Sequence, residues 1–206
     1  MDAHYTINIG RQIGSGGRIV AKMLADELHI NYYDKKLLKS ASDDTGFSEE
    51  FFVKADEETS RRRLRPLVLS HLLSVGYTDN YMSNESIFKM QSDVIRNIHS
   101  KEDCIFIGRC AGYILRDSDR TLNVFLSATA EDRIARICQN DGCTENQARS
   151  LIEDADRKRA AYFNYFTGWK WGDAQTYDLC LSTSVFGTER CTEIILDVAR
   201  RKLHIE

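Results

Sequence analysis

The sequence lacks several features that would direct a first interpretation. It contains one proline in 206 residues and no low-complexity tract, so nothing in it predicts a linker, and its length fits one domain. It has no run of about 18 apolar residues, so no membrane-spanning helix is predicted. A net charge of −3 and a pI near 6.0 give the chain no general attraction to nucleic acid.

The beginning of the chain also lacks a basic region followed by an apolar one, which is the pattern of an export signal. We therefore expect a cytoplasmic protein whose six cysteines are reduced thiols. These cysteines include no CxxC pair and lie near no cluster of histidines, so no metal site is predicted.

What the sequence does contain, close to its start, is a glycine-rich turn. A short buried strand is predicted over 6–9, and apolar residues recur at helical spacing from Gly16 or Gly17 onward. Between strand and helix, Gly14 and the two later glycines allow several backbone N–H groups to converge at the positive end of the helix. This arrangement predicts an anion-binding loop, the 10–18 loop.

The 10–18 loop resembles the GxxxxGK[ST] phosphate loop in shape but differs from it in chemistry. On that template Gly16 is retained, but Arg11 stands for the first glycine and Gly17 for the lysine. Arg18 stands for the hydroxyl residue that binds magnesium. Arginine suits phosphate oxygens, so Arg11 and Arg18 are candidates to restore the positive charge, but neither side chain coordinates magnesium.

Two other interpretations of this loop remain open at this point. A glycine-rich turn often does no more than join a strand to a helix. Alternatively, Gly14, Gly16 and Asp34 resemble a dinucleotide-binding fingerprint, in which an acidic residue follows the glycines by about 20 positions. The spacing argues against the fingerprint, because Gly14 lies four positions after Gly10 and Ile19 stands where a third glycine belongs.

The rest of the chain alternates short apolar strands with helical segments. Further strands are predicted at 30–33, 104–107, 121–127 and 177–181, and helices at 109–116, 130–140, 144–165 and 188–203. Helical spacing over 35–44, 48–58, 61–75 and 84–100 predicts an all-helical insertion between the second and third strands. This alternation favours an α/β fold with a parallel sheet covered on both faces.

Ligands of such sheets bind beyond the carboxyl ends of the strands. The first strand leads into Arg11, the second into Asp34 and the third into Arg109. We therefore expect the 10–18 loop, a carboxylate and arginines to lie together at one edge of the sheet. Purely structural roles for these residues are also open. Asp34 suits a helix cap, and an arginine at a strand end suits pairing with a neighbouring acid.

Several segments, taken in order, resemble the cytidylate-kinase-like family of nucleoside monophosphate kinases. They are GRQIGSGGRIVAKMLA, YYDKKLL, IFIGRCAGYIL, VFLSATAEDRIARI, DADRKRAAYF and WGDAQTYDLCLSTS. The resemblance implies a three-layer P-loop kinase fold with a five-stranded parallel sheet flanked by helices. It also implies a single domain over 1–206, with a helical acceptor-binding insertion over 35–100 and an arginine-containing lid over 136–165.

The resemblance further implies roles for individual residues. The donor would be ATP or another nucleoside triphosphate, with Mg²⁺ if the protein is catalytic. Its phosphates would be bound by Gly14, Ser15, Gly16, Gly17 and Arg136. The acceptor, a nucleoside monophosphate or another small molecule, would be bound by Asp34 and Arg109. The groups acting in transfer would be Asp34, Arg157 and Arg159, together with Arg11 and Arg18, which the chain itself offers as replacements for the missing positive charge. Arg157 and Arg159 also fit a solvated helix face beside Asp154 and Asp156.

The departures from the true kinases leave two hypotheses. The lysine and hydroxyl positions of the loop are replaced, and Ile107 and Cys110 stand for the acids of the strand-end DGRD pattern. Each change removes a group that phosphoryl transfer uses. The chain is therefore predicted to be either a kinase with substitute arginines or a non-catalytic nucleotide or anion sensor. Neither hypothesis involves nucleic acid or a membrane, and a homodimer stays open.

Overall fold

The computed structural model describes residues 4–34 and 84–205 and contains one five-stranded parallel sheet. The strands are β1 (Thr6–Arg11), β2 (Asn31–Tyr33), β3 (Cys104–Ile107), β4 (Thr121–Ser127) and β5 (Leu179–Ser182), in the order β2-β3-β1-β4-β5. Every neighbouring pair is parallel. The predicted fold class is thereby confirmed, although β5 begins two residues later than expected.

Helices lie between and after the strands. They are α1 (Gly17–Leu28), α2 (Asn84–His99), α3 (Ala111–Ile114), α4 (Ala130–Asp141), α5 (Glu145–Thr167) and α6 (Thr183–Leu203). The predicted helix at 109–116 is shorter because three residues before α3 have positive φ. The α6 helix starts before the predicted residue 188, with a break at Gly187 (φ 75°, ψ 170°). No helix within the described ranges has the length and apolar character needed to cross a membrane.

The helical segments predicted between 35 and 83 lie outside the described residues. Only the last of the predicted insertion helices, α2, falls within them, and it forms as expected. The domain division, with an insertion over 35–100 and a lid over 136–165, stays a prediction.

Alternation along the strands, clearest in β3, directs side chains to two separate cores. Ile7 and Ile9 are fully buried in a core that the sheet shares with α1 and α6. Phe106 of β3 packs on the opposite face against Ile95 of α2 and Ile114 of α3. Burying each such side chain contributes about 1.5–3 kcal/mol, so both faces of the sheet are stabilised by covering helices.

The helices α4 and α5 form a hairpin, the α4–α5 hairpin, whose ends are defined by local signals. Thr144 caps α5 in a capping box with Gln147. Gly142 ends α4 in the left-handed conformation (φ 63°), and its N–H donates to the Cys138 carbonyl at 2.9 Å. Apolar side chains of the two helices form a small core on which Ile13 of the 10–18 loop packs. The hairpin is therefore held against that loop.

The register of the sheet brings the candidate residues to one edge. Pairing of β1 with β4 continues to Arg11 opposite Leu126, and pairing with β3 ends at Ile9 opposite Ile107. The chain leaves β1 and β3 at the same edge, since the strands are parallel. This edge carries the candidate site.

Candidate functional site

The 10–18 loop has the backbone conformation of an anion-binding turn. Gly14 (φ 74°) and Gly16 (φ 78°) occupy the left-handed region, and Gly16 is the N-cap of α1. The N–H groups of Gly14, Gly16 and Gly17 donate to no backbone or side-chain acceptor in the described part of the chain. Such N–H groups at the start of a helix favour a bound anion.

Polar contacts hold the inner side of this loop in place. Ser15 is fully buried, and its hydroxyl donates to the Gln12 carbonyl at 2.9 Å. The Ser15 carbonyl accepts from the Thr183 hydroxyl at 2.8 Å, and Gln12 Oε1 accepts from the Ala128 N–H at 3.2 Å. These contacts tie the loop to the segments that follow β4 and β5. Ser15 therefore shapes the loop through its side chain.

The Arg11 side chain crosses the loop through space that two glycines leave open. A Cβ atom added at Gly17 would lie 2.8 Å from Cβ and 2.9 Å from Cγ of Arg11. A Cβ atom added at Gly108 would overlap Nη1 of the Arg11 guanidinium. The side chain thus runs from the start of α1 toward the end of β3. Its aliphatic stem packs beside Gly17, which replaces the lysine of the GxxxxGK[ST] template, and its guanidinium lies at Gly108.

Arginines of the α4–α5 hairpin bind three carbonyls on the outer side of the loop. Arg133 Nε donates to the Ile13 carbonyl at 2.7 Å, and Arg136 donates to the Gly14 carbonyl. Arg159 Nη1 donates to the Arg11 carbonyl at 3.2 Å. The C=O and N–H groups of a trans peptide point in opposite directions, so the Gly14 N–H faces away from α4. The hairpin thereby orients a donor of the anion-binding turn.

A closed network joins the hairpin to Ile13. Arg133 forms an ion pair with Asp156, and their side chains are only 8% and 16% exposed. Asp156 Oδ1 accepts from the Ile13 N–H at 2.9 Å, while Arg133 binds the carbonyl of the same residue. Ile13 is held through both of its backbone polar groups. Sequence reasoning did not assign Asp156 to the site, although it lies three residues before Arg159 and so on the same face of α5.

The end of β2 carries a second ion pair. Arg18 Nη2 lies 3.2 Å from Oδ2 of Asp34, with 70% of the arginine side chain and 13% of the carboxylate side chain exposed. The structure thus joins the loop and the β2 end, as the strand-end rule predicted.

Three consecutive residues with positive φ turn the chain after β3. They are Gly108 (φ 76°), Arg109 (φ 61°) and Cys110 (φ 57°). For the two non-glycine residues this conformation is uncommon and often marks a functional turn. Burial raises the pKa of the Cys110 thiol to about 12, while the Arg109 charge opposes that rise. Cys110 is therefore a protonated, buried side chain at neutral pH.

Arg109 also lies near α5. Burial raises the pKa of Tyr162, and the neighbouring Arg109 charge lowers it in part. The Tyr162 hydroxyl donates to Gln91 Oε1 of α2 at 3.3 Å. Tyr162 and Gln91 were not singled out in the sequence, and their contact joins α2 to the part of α5 that lies near Arg109.

The structure places Arg157, a predicted site residue, away from the 10–18 loop. Its side chain is 73% exposed and forms an ion pair with Asp154 on the outer face of α5. Residues two apart in a helix point in nearly opposite directions, so Arg157 and Arg159 do not share a face. The alternative of a solvated face thus describes Arg157, whereas Arg159 contacts the loop.

Solved structures with the same fold place the chain in a structural class. An uncharacterized protein from Eubacterium ventriosum has a TM-score of 0.70 at 26% identity, covering 95% of this chain and 98% of that one. Shikimate kinase from Bacteroides thetaiotaomicron has a TM-score of 0.52 at 12% identity, covering 94% and 97%. At 12% identity the likeness concerns the fold alone. The chain has the P-loop kinase fold.

Sequence comparison then defines the family. Residues 6–185 match the Cytidylate kinase-like family, so the chain belongs to it. The cytidylate kinase of Methanopyrus kandleri is 24% identical over 198 residues, which are 92% of this chain and 90% of that enzyme. The cytidylate kinase of Methanoculleus marisnigri is 32% identical over 94 residues, and this match spans 46% of this chain and 51% of that enzyme. Family and fold together support a nucleotide-kinase-type function.

Proposed function

We propose that this protein is a phosphotransferase that moves the terminal phosphoryl group of a nucleoside triphosphate, with ATP the first candidate, to a small acceptor. The observation that carries the proposal is the Arg11 side chain, which spans from Gly17 to Gly108 across the anion-binding turn. Its guanidinium, at Gly108, would supply positive charge beside the loop, where the standard motif relies on its lysine.

The donor site of this proposal is the 10–18 loop with the hairpin arginines. The N–H groups of Gly14, Gly16 and Gly17 would bind donor phosphates. Arg136 and Arg159, which already contact loop carbonyls, would present their remaining N–H groups to the phosphoryl oxygens, since a guanidinium carries five donors. Arg157 is not part of the proposed site, because it lies on the outer face of α5.

The acceptor site of this proposal lies at the ends of β2 and β3. Arg109 would bind an anionic group of the acceptor, and Asp34 would bind or orient its hydroxyl. The relatives from Methanopyrus and Methanoculleus are named cytidylate kinases, which makes a nucleoside monophosphate the first acceptor to test. The proposed localisation is cytoplasmic.

A nucleotide or anion sensor is the second candidate function. One observation favours it: Arg133, Arg136 and Arg159 each donate to a loop carbonyl. Arginines committed to the loop backbone stabilise a binding site, whereas transfer requires donors aimed at the moving phosphoryl group.

A binding and transfer screen separates the two functions. ATP binding is measured by calorimetry, and the same samples are incubated with nucleoside monophosphates and small alcohols, with phosphorylated products detected by mass spectrometry. Phosphorylated product above a no-enzyme control supports the phosphotransferase. Binding without product supports the sensor, and absence of ATP binding contradicts ATP as the donor.

We expect Arg109→Ala to weaken acceptor binding far more than donor binding. Loss of a charge-assisted contact to the acceptor should raise its KM by about 100-fold, with the donor Kd changed by less than about threefold. Initial rates at varied acceptor, with calorimetric titration of the donor, provide both values.

The matched control for this prediction is Arg201→Ala. Arg201 is 79% exposed on α6, where it pairs with Asp197, so its loss should leave both constants unchanged. Equal weakening of donor and acceptor by Arg109→Ala would contradict the acceptor assignment.

A further inference from the structure

We infer that the donor site binds nucleotide phosphates without a magnesium ion held by protein side chains. The inference rests on the proposed donor role of the 10–18 loop. The P-loop kinase fold usually places a hydroxyl residue directly after the lysine, and that hydroxyl coordinates magnesium. The residues present here do not fit that ion.

The hydroxyl position is occupied by a cation. Arg18 stands there in the sequence, and its Nη2 atom lies 3.2 Å from Oδ2 of Asp34. A guanidinium offers no lone pair to a metal and repels a divalent cation. The same contact pairs the Asp34 carboxylate, a candidate oxygen ligand at the end of β2, with an arginine.

The other hydroxyl of the loop is directed into the protein. Ser15 is fully buried, and its Oγ atom donates to the Gln12 carbonyl at 2.9 Å. The hydroxyl oxygen keeps its lone pairs while it donates, so the obstacle to coordination is burial: an ion would have to enter a position that the structure encloses. Elsewhere in the ranges 4–34 and 84–205, no group of three His, Cys, Asp or Glu residues has a metal-binding arrangement.

Arginines supply the charge that an ion would otherwise supply. Arg11 crosses the turn between Gly17 and Gly108, and Arg136 and Arg159 contact the outer face of the loop. Guanidinium groups bind phosphate oxygens directly through paired N–H donors. Within the ranges 4–34 and 84–205, the side chains around the loop then leave any magnesium that takes part in the reaction to the nucleotide and its water ligands.

Calorimetric titration with and without magnesium tests this inference. ATP and inorganic pyrophosphate are each titrated in 1,2-diaminocyclohexane tetraacetate buffer and in excess Mg²⁺. We expect the two Kd values of the wild-type protein to agree within about threefold for each ligand. Arg18→Ser restores the hydroxyl and releases Asp34, so it should bind ATP at least about tenfold more tightly with Mg²⁺ than without it. Arg18→Ala also removes the cation but adds no hydroxyl, so its magnesium dependence should be smaller than that of Arg18→Ser.

The outcomes separate this inference from the proposed function. Wild-type binding that is about tenfold or more tighter with Mg²⁺ overturns the inference and leaves the phosphotransferase proposal standing. Pyrophosphate binding that is independent of Mg²⁺, without ATP binding, supports the inference and contradicts the donor role of ATP. Absence of binding by both ligands overturns the inference and the donor site together. Arg18→Ser and Arg18→Ala with equal magnesium dependence would overturn the role assigned to the hydroxyl position.

Discussion

Gly17→Lys should weaken ATP binding rather than restore a working phosphate loop. The new Cβ atom would lie 2.8 Å from Cβ of Arg11, at the root of that side chain, where a small rotation cannot relieve the overlap. Overpacking of this kind typically costs about 1–3 kcal/mol. We therefore expect the Kd for ATP, measured by calorimetry, to rise by about tenfold or more.

The matched control is the double variant Arg11→Gly/Gly17→Lys. It removes the obstructing side chain and places both residues as the GxxxxGK[ST] template has them, so ATP affinity should recover relative to Gly17→Lys. Adding Arg18→Ser completes the motif. Higher affinity and activity in the single variant Gly17→Lys would show that Arg11 does not do the work of the lysine, and would favour decay from an ordinary kinase.

Arg133→Ala should cause the largest loss of stability among substitutions in the site. It leaves the Asp156 carboxylate, which is only 16% exposed, without its cation and the Ile13 carbonyl without a donor. Breaking a buried pair costs about 3–5 kcal/mol, which corresponds to a fall in Tm of about 10 °C for a chain of this size. Differential scanning calorimetry measures the change.

Two further variants define the origin of that loss. Asp156→Asn keeps an oxygen for the Ile13 N–H and should cost less than Asp156→Ala, which removes it. Arg190→Ala breaks an ion pair whose side chains are 65% and 59% exposed, so it should leave Tm unchanged. A similar Tm for Arg133→Ala and Arg190→Ala would contradict the structural role of the buried network.

The sheet and most of its helices were predictable because their signals are local. Apolar runs such as that of β4 and helical periodicity in α4 and α5 depend on neighbours within a few residues. Thr144 and Gly142 mark helix ends through capping chemistry that is visible in sequence. Arg109 and Cys110 adopt left-handed backbone conformations, which arginine and cysteine do not indicate in a sequence. The helix after β3 was therefore predicted too long.

The candidate site was predictable only as a set of strand ends. The strand-end rule brought Arg11, Asp34 and Arg109 to one edge, but the contact between Ile13 and Asp156 joins residues 143 positions apart. No local pattern encodes such a contact. Helical geometry did hold one unused signal, because two residues that are two positions apart, as Arg157 and Arg159 are, lie on different faces of any α-helix.

The carbonyl contacts of the α4–α5 hairpin have a thermodynamic consequence. The hairpin and the donor loop are joined through Ile13 and Gly14, so the free energy of ordering the loop is shared between them. If attachment of the hairpin increases the affinity of the loop for a donor, then donor binding stabilises that attachment by the same free energy, because coupling between two equilibria is reciprocal. Affinity for the donor is thus a property of α4 and α5 as much as of the glycines that touch it.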